Sequence, residues 1–378
     1  MGNVRKNIKM GRKVSMRKQL ISALVLAVAL TTSITPTFAA EKVEVKENRG
    51  NVFSAKDIVL YKTISDDSKQ EKEKAMVEHK DAIKIIKTYI KTNELPIVSD
   101  VNDPTYQQFV LSLGGSFDEF SEEEMGKIVS FVKFIDLYEN HEKNDKLKQY
   151  KNKLTNNTIL SEEENAELNS LLPVSSNAES TAENAVSTND EVSGSSMSPM
   201  TVYSNGYDNI KARDYAYKWW DGRNPAYDYY AYKEGCSVYD TNCWKKWNDC
   251  TNFVSQAIYT GGMKLRYGSH YTSSSSWSYG VVPSYSWGGA HNFYLHWKSR
   301  AGIASSVSAL QTGDVVNADF GGDGQIDHTA IITKNTGSYS SNKYLTQHTS
   351  DKKETTTLAN WYNSGYKVYG YEMDKASN

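Results

Sequence analysis

The stretch Asp249-Cys250-Thr251-Asn252-Phe253-Val254-Ser255-Gln256-Ala257-Ile258-Tyr259-Thr260-Gly261-Gly262 decides the fold of this 378-residue chain. Phe253, Val254, Ala257 and Ile258 recur at the spacing of one helix face, which predicts a helix whose stripe is buried. Asp249 is a natural N-cap residue, and Gly261-Gly262 is a helix stop. Cys250 is thereby expected in the first turn. A free thiol with a pKa of about 8.5 is only about 3% ionised at neutral pH, and the thiolate is the nucleophile. A helix N-terminus and a neighbouring imidazolium both favour the thiolate. Asp249 opposes it by repulsion, unless its charge is engaged in capping. Taken alone, the stretch is equally compatible with an inert buried thiol or half of a disulfide.

A base candidate lies downstream. Val315–Phe320 reads as a strand, Gly321-Gly322-Asp323-Gly324 as a turn and His328–Thr333 as a second strand, so His328 enters the second arm of a hairpin. Tyr344–Thr349 reads as the next strand and brings His348 in beside it. A Cys at a helix start, a His on the sheet packed against it and a polar neighbour to fix the imidazole tautomer make an arrangement of the papain type. Upstream, Ala212, Tyr215, Ala216 and Trp219 line one stripe of a helix over 210–220. Asp221-Gly222-Arg223-Asn224-Pro225 ends that helix.

Farther out, the composition changes sharply near residue 203. All eight Trp, all three Cys and 20 of the 26 Tyr fall in 204–378. Residues 174–200 are rich in Ser, Asn, Glu and Thr and poor in large apolar side chains, which predicts a flexible linker within 174–203. Residues 40–173 read as an all-α accessory region. Ala82, Ile83, Ile86, Tyr89 and Ile90 share a helix face, Ser121/Glu124 and Ser161/Glu164 form capping boxes, and Pro104 suits a first turn. His79 and His141 stand among charged residues and are expected on the surface. At the start of the chain, Arg5, Lys6, Lys9, Arg12, Lys13, Arg17 and Lys18 precede an apolar run from Leu20 to Leu30. Small residues follow up to Thr37-Phe38-Ala39-Ala40. This is the layout of a secretory leader over 1–39, its apolar run well short of the ~20 residues that span a bilayer. The expected product is extracellular or cell-wall associated, with no integral membrane segment once processed. The net charge of −2 hides −11 in 40–203 against +2 in 204–378. No basic stripe is present, which argues against nucleic acid as a partner.

From about Tyr207 to Met373 the chain resembles the "putative amidase domain" of secreted bacterial proteins, a branch of the NlpC/P60- and CHAP-like, papain-fold cell-wall hydrolases. The matching words are ARDYAYKWWDGRNPAY (212–227), DCTNFVSQAIYTGG (249–262), SYSWGGAHNFY (284–294), LQTGDVVNADFGGDGQIDHTAIIT (310–333), LTQHTSD (345–351) and KVYGYEM (367–373). They come in the family's order, though not across 40–203. The resemblance implies an α+β, papain-like (NlpC/P60-type) domain over 204–378, with N-terminal helices packed on an antiparallel sheet and the all-α region before it. It also implies a thiol nucleophile at Cys250, a general base at His328 and an orienting residue at His348. Hydrolysis of an amide, expected in a peptidoglycan peptide, would pass through a thioester. The oxyanion would need preorganised donors. The Cys250 N–H and the Asn248 side chain are candidates, with Asp249 and Asn252 as further polar support.

Several features stay open. Cys236, Cys243 and Cys250 are spaced seven apart, and in an oxidising compartment Cys236–Cys243 could close a loop and leave Cys250 free. A zinc site lacks the usual short CxxC pair. Asp319, Asp323 and Asp327 partly resemble a calcium loop. However, Gly321 occupies a ligand position and the terminal Glu is missing, so a plain hairpin turn is the simpler expectation. No cofactor is expected. His270, His291 and His296 are further polar candidates, His291 more suited to packing. The many aromatics suit a core better than a glycan groove. Two alternatives remain: a transpeptidase or transamidase using the same Cys–His pair, and a non-catalytic wall-binding module.

Overall fold

The computed structural model describes residues 51–183, 202–230 and 249–378. The expected leader, residues 184–201 of the expected linker, and the segment carrying Cys236, Cys243 and Asn248 lie outside the described residues.

The accessory region is helical: α1 (Ser68–Glu78), α2 (Lys80–Thr92), α3 (Pro104–Ser112), α4 (Glu122–Thr155) and α5 (Glu162–Leu171). Ser121 and Ser161 each close a capping box, and Pro104 opens α3. The α2 stripe of Ala82, Ile83, Ile86 and Ile90 is buried as its spacing predicts. The two histidines differ from expectation. His79 packs against Phe131 and Phe134, and His141 pairs with the buried Glu71, so neither is simply surface. None of the described helices is long and apolar enough to cross a membrane.

The C-terminal part supplies α6 (Asn209–Trp219), α7 (Cys250–Thr260), α8 (Ala290–Arg300) and α9 (Leu358–Asn363). It also supplies β1 (Val315–Asp319), β2 (His328–Asn335), β3 (Lys343–Gln347), β4 (Lys352–Thr357) and β5 (Lys367–Tyr371). The strands form one antiparallel sheet in the order β4-β3-β2-β1-β5. The chain is therefore mixed α+β. Every residue of β1 is buried, and successive side chains of a strand point to opposite faces. Such a strand requires cover on both sides.

That cover comes from two sources. Val315, Ile331, Tyr369 and Tyr371 share a core with α6, α7, α8 and the fully buried Trp277, Trp287 and Trp297. Val316, Ala318, Phe320, Ala330, Ile332, Leu345 and Val368 share the other core with Ile83, Ile86, Val110, Ile128, Phe131 and Ile135 of α2, α3 and α4. The accessory helices thus form the third layer of an α–β–α stack.

Residues 174–183, within the expected linker, run along β5, the edge strand. Thr181 N–H donates to Val368 O (2.9 Å), Gly370 N–H donates to Thr181 Oγ1 (2.7 Å), and Val174 N–H donates to Gly324 O (2.9 Å). An edge strand presents unpaired backbone groups, and a polar segment can satisfy them without any apolar content.

Candidate active site

Cys250 is the first residue of α7, as predicted, and is a free, buried thiol. The first-turn N–H groups of a helix lack intrahelical partners, and the dipole there favours negative charge. The helix is anchored by its buried stripe and by Trp277, whose Nε1–H donates to Ser255 Oγ (3.1 Å). It ends at Gly261-Gly262, where Gly262 adopts φ +106°, a conformation that favours glycine. The next residue, Thr251, hydrogen-bonds through its hydroxyl to that of Thr329 (2.8 Å) and so fixes the helix start against β2.

His328 opens β2 and is 2% exposed. Burial alone would raise the Cys250 thiol. The neighbouring His328 outweighs it, helped by Thr251 and the Thr329 backbone, and the thiol is held below its ordinary value. Cys250 and His328 line one and the same cleft. Phe320 stacks beside the His328 ring (6.1 Å between centroids), and Trp361 packs edge-on (5.7 Å). His328 Nε2 is buried and has no hydrogen-bond partner among the described residues.

His348 does not orient His328. It lies just past the end of β3, and both of its nitrogens are taken: Nδ1 is 3.0 Å from Asp249 Oδ1, and Nε2 is 2.7 Å from the Trp219 carbonyl. Its ring also stacks on Phe253 at 3.9 Å.

Asp249 stands at the N-cap position, yet its side chain makes no capping bond. Arg223 Nε lies 2.9 Å from Asp249 Oδ1, and both side chains are almost wholly buried. Burial works to raise the Asp249 carboxyl, but Arg223 and His348 overcome it and hold the group below the usual carboxylate range. Its charge is thus engaged and does not confront the thiolate. Arg223 also forks onto Asp351 (Nη2–Oδ1 2.9 Å, Nη1–Oδ2 3.2 Å). This pins a turn in which Thr349, Ser350 and Asp351 all have positive φ (68°, 73° and 44°). Non-glycine residues hold such a conformation only where their surroundings impose it.

Asn252 is committed elsewhere. Its Oδ1 accepts from Trp287 Nε1 (2.9 Å), and its Nδ2 donates to Tyr227 O (3.2 Å), so it braces the helix and is not free to meet an oxyanion. His291 and His296 are buried packing residues, each pushed down to about 4 by burial. His270 hydrogen-bonds Thr272 within its own loop.

Cys250 and His328 line a cleft of about 220 Å³ together with Thr251, Phe320, Asp327, Thr349 and residues 288–292. Its remaining wall comes from the accessory helices, through Gln108, Leu111, Ser112 and Glu139. The approach of the layers is close beside it. A Cβ on Gly114 would sit 2.8 Å from the Phe320 ring, and one on Gly115 would sit 2.5 Å from Gln347 Nε2. The sequence carried no signal for this wall, because α3 and His328 are more than 200 positions apart. Arg223 was legible only as part of a turn; its partner Asp249 had already been assigned to capping.

Comparison with known proteins bears on the same part of the chain. Residues 206–371 match the family described as "Putative amidase domain". A 131-residue stretch is 35% identical to the "Uncharacterized protein YhbB" of Bacillus subtilis (strain 168) and covers 33% of this chain and 37% of that protein. The match thus spans little more than a third of that relative's length. No solved structure matches the chain. Over 206–371 the chain is similar to an amidase-like family, and the reaction class this points to is amide hydrolysis.

Proposed function

We propose that the chain is a cysteine amidase with a papain-like catalytic part, Cys250 as nucleophile and His328 as general base and acid. The observation that carries this reading is the helix-start thiol held below its ordinary value by the imidazole beside it, at the wall of a cleft. Cys250 attacks the amide carbonyl carbon, and its proton resides on His328. His328 then protonates the departing amine as the C–N bond breaks, leaving a thioester. Water, deprotonated by His328, adds to the thioester and releases the acid and the free thiol. The Cys250 N–H is positioned at the helix mouth to receive the oxyanion. The aromatic contacts of Phe320 and Trp361 hold the imidazole plane, a task the expected third polar residue does not perform.

The leader-like N-terminus supports a site of action outside the cytoplasm, and the resemblance to secreted wall hydrolases supports a peptidoglycan peptide as substrate. Purified peptidoglycan incubated with the full chain should release new amino groups, with the rate for Cys250→Ala at least 10³-fold lower. Equal release by the two proteins would refute the enzyme reading, and wall binding without release would favour a binding module. Mass spectrometry of products formed with added amine separates water from amine as the acceptor.

A further inference from the structure

Asp136 lies on α4 and is completely buried, yet neither of its carboxylate oxygens has a hydrogen-bond partner among the described residues. It projects toward the β1–β2 turn, whose backbone comes so close that a Cβ on Gly321 would overlap Asp136 Oδ2. Two sets of ligand atoms converge there: Asp136 with Asp319 and Asp323, and Asp136 with Glu139 and Asp327, each set lying within 4.8 Å of one another. Asn140, one turn further along α4, adds a buried Oδ1 that also lacks a partner. The turn is organised around these acids. Asp319 accepts from the N–H groups of Gly322 (2.6 Å) and Gly324 (3.0 Å), and Asp327 Oδ2 accepts from Phe320 N–H (2.7 Å).

Counter-charge is short. Lys143 pairs with Glu139 at 2.6 Å, and Asn140 Nδ2 donates to Asp323 Oδ2 at 2.5 Å. Burial, with Asp323 adding repulsion, drives the Asp136 carboxyl well above the usual range. Five carboxylates facing one ammonium, with an unpartnered carboxylate at the centre, make a ligand set of hard oxygen donors. Calcium takes six to eight oxygens at about 2.3–2.6 Å, so ligands on opposite sides of the ion stand about 5 Å apart. The spacing of both sets fits within that sphere.

We propose that Asp136, at the junction of α4 with the acidic β1–β2 turn of Asp319, Asp323 and Asp327, binds a calcium ion that fastens the accessory helices to the hairpin carrying His328. The three turn acids alone make an incomplete loop, and the missing ligands come from a helix some 180 residues upstream in the chain, beyond the reach of a local motif.

The test is a thermal unfolding series on the full chain, stripped with a chelator and dialysed, then titrated with calcium chloride or magnesium chloride. Millimolar calcium should raise the melting temperature of the wild type by on the order of 5 °C. Asp136→Asn should remain folded without metal, because the substitution removes a repelled charge, and should show no calcium-dependent rise. Magnesium should give a clearly smaller rise, since it favours octahedral sites and gives up its water reluctantly. The proposal fails if calcium leaves the wild type unmoved, if Asp136→Asn keeps the full rise, or if magnesium matches calcium. Should Asp136→Asn not fold, calorimetric titration of the wild type decides: one calcium per chain supports the site and none overturns it.

Discussion

At the scale of single residues, the proposed chemistry rests on one sulfur whose surroundings oppose each other. Burial favours the neutral thiol, and the imidazole of His328 favours the thiolate and prevails. Alkylation by iodoacetamide followed across pH should therefore titrate with a midpoint below the ordinary thiol range. His328→Ala should move the midpoint upward, because desolvation is then opposed only by the hydrogen bonds of Thr251 and the Thr329 backbone. An unchanged midpoint would mean that the imidazole does not govern the sulfur. The pair itself was legible in the sequence: an apolar stripe bounded by Asp249 and Gly261 places Cys250 in a first turn, and the turn at 321–324 places His328 on a strand. The partner of His348 was not. Strand alternation says which face a side chain occupies but not which of several polar neighbours it meets, and His348 turned toward Asp249 and the C-terminus of α6.

Among the elements, the junction of α6, α7 and the β3–β4 turn depends on the buried Arg223–Asp249–His348 cluster. A carboxyl held below its ordinary range contributes stability above that range and loses it as pH falls through the lowered value. Asp249→Asn should cost about 3–5 kcal/mol at neutral pH, since it leaves the buried Arg223 without its counter-charge there. Urea unfolding at a series of pH values should show the gap to wild type narrowing under acid conditions. A constant gap would assign the loss to shape and not to charge. The elements themselves were unequally legible. Strands β1, β2, β3 and β5 and helices α2, α4, α5 and α6 carry apolar periodicity or capping signals. By contrast β4, with the sequence KKETTT, lies at the sheet's other edge and lacks an apolar alternation to reveal it. The linker composition described 174–183 fairly, but an edge strand recruited that segment through its backbone.

For the whole molecule, the decisive fact is that the sheet is covered on both faces and that the accessory region, together with α9, supplies the second cover. A fragment of residues 204–378 would strip the α2, α3 and α4 side chains from the core around Val316, Phe320, Ala330, Ile332, Leu345 and Val368, leaving that face the partial cover of Leu310, Leu358 and Trp361. Burial contributes roughly 1.5–3 kcal/mol for each large apolar side chain, so this loss exceeds the margin by which domains are folded. The fragment should accordingly be insoluble or dimeric, and adding residues 51–183 in trans should recover soluble material. A monomeric, cooperatively melting fragment would show that the third layer is dispensable. The composition step at residue 203 falls between the helices α1–α5 and the mixed α+β part. It could not show that the two halves share a core, because contacts between distant segments leave no periodic trace in either.

Part of the cleft wall belongs to α3, and this separates two properties that a protease-sized domain usually carries together. The proposed reacting groups reside in one half of the polypeptide, while Gln108, Leu111 and Ser112 of the other half line the same cleft. Diversification of the upstream half can therefore redirect the reagent toward new targets while its reactivity is conserved.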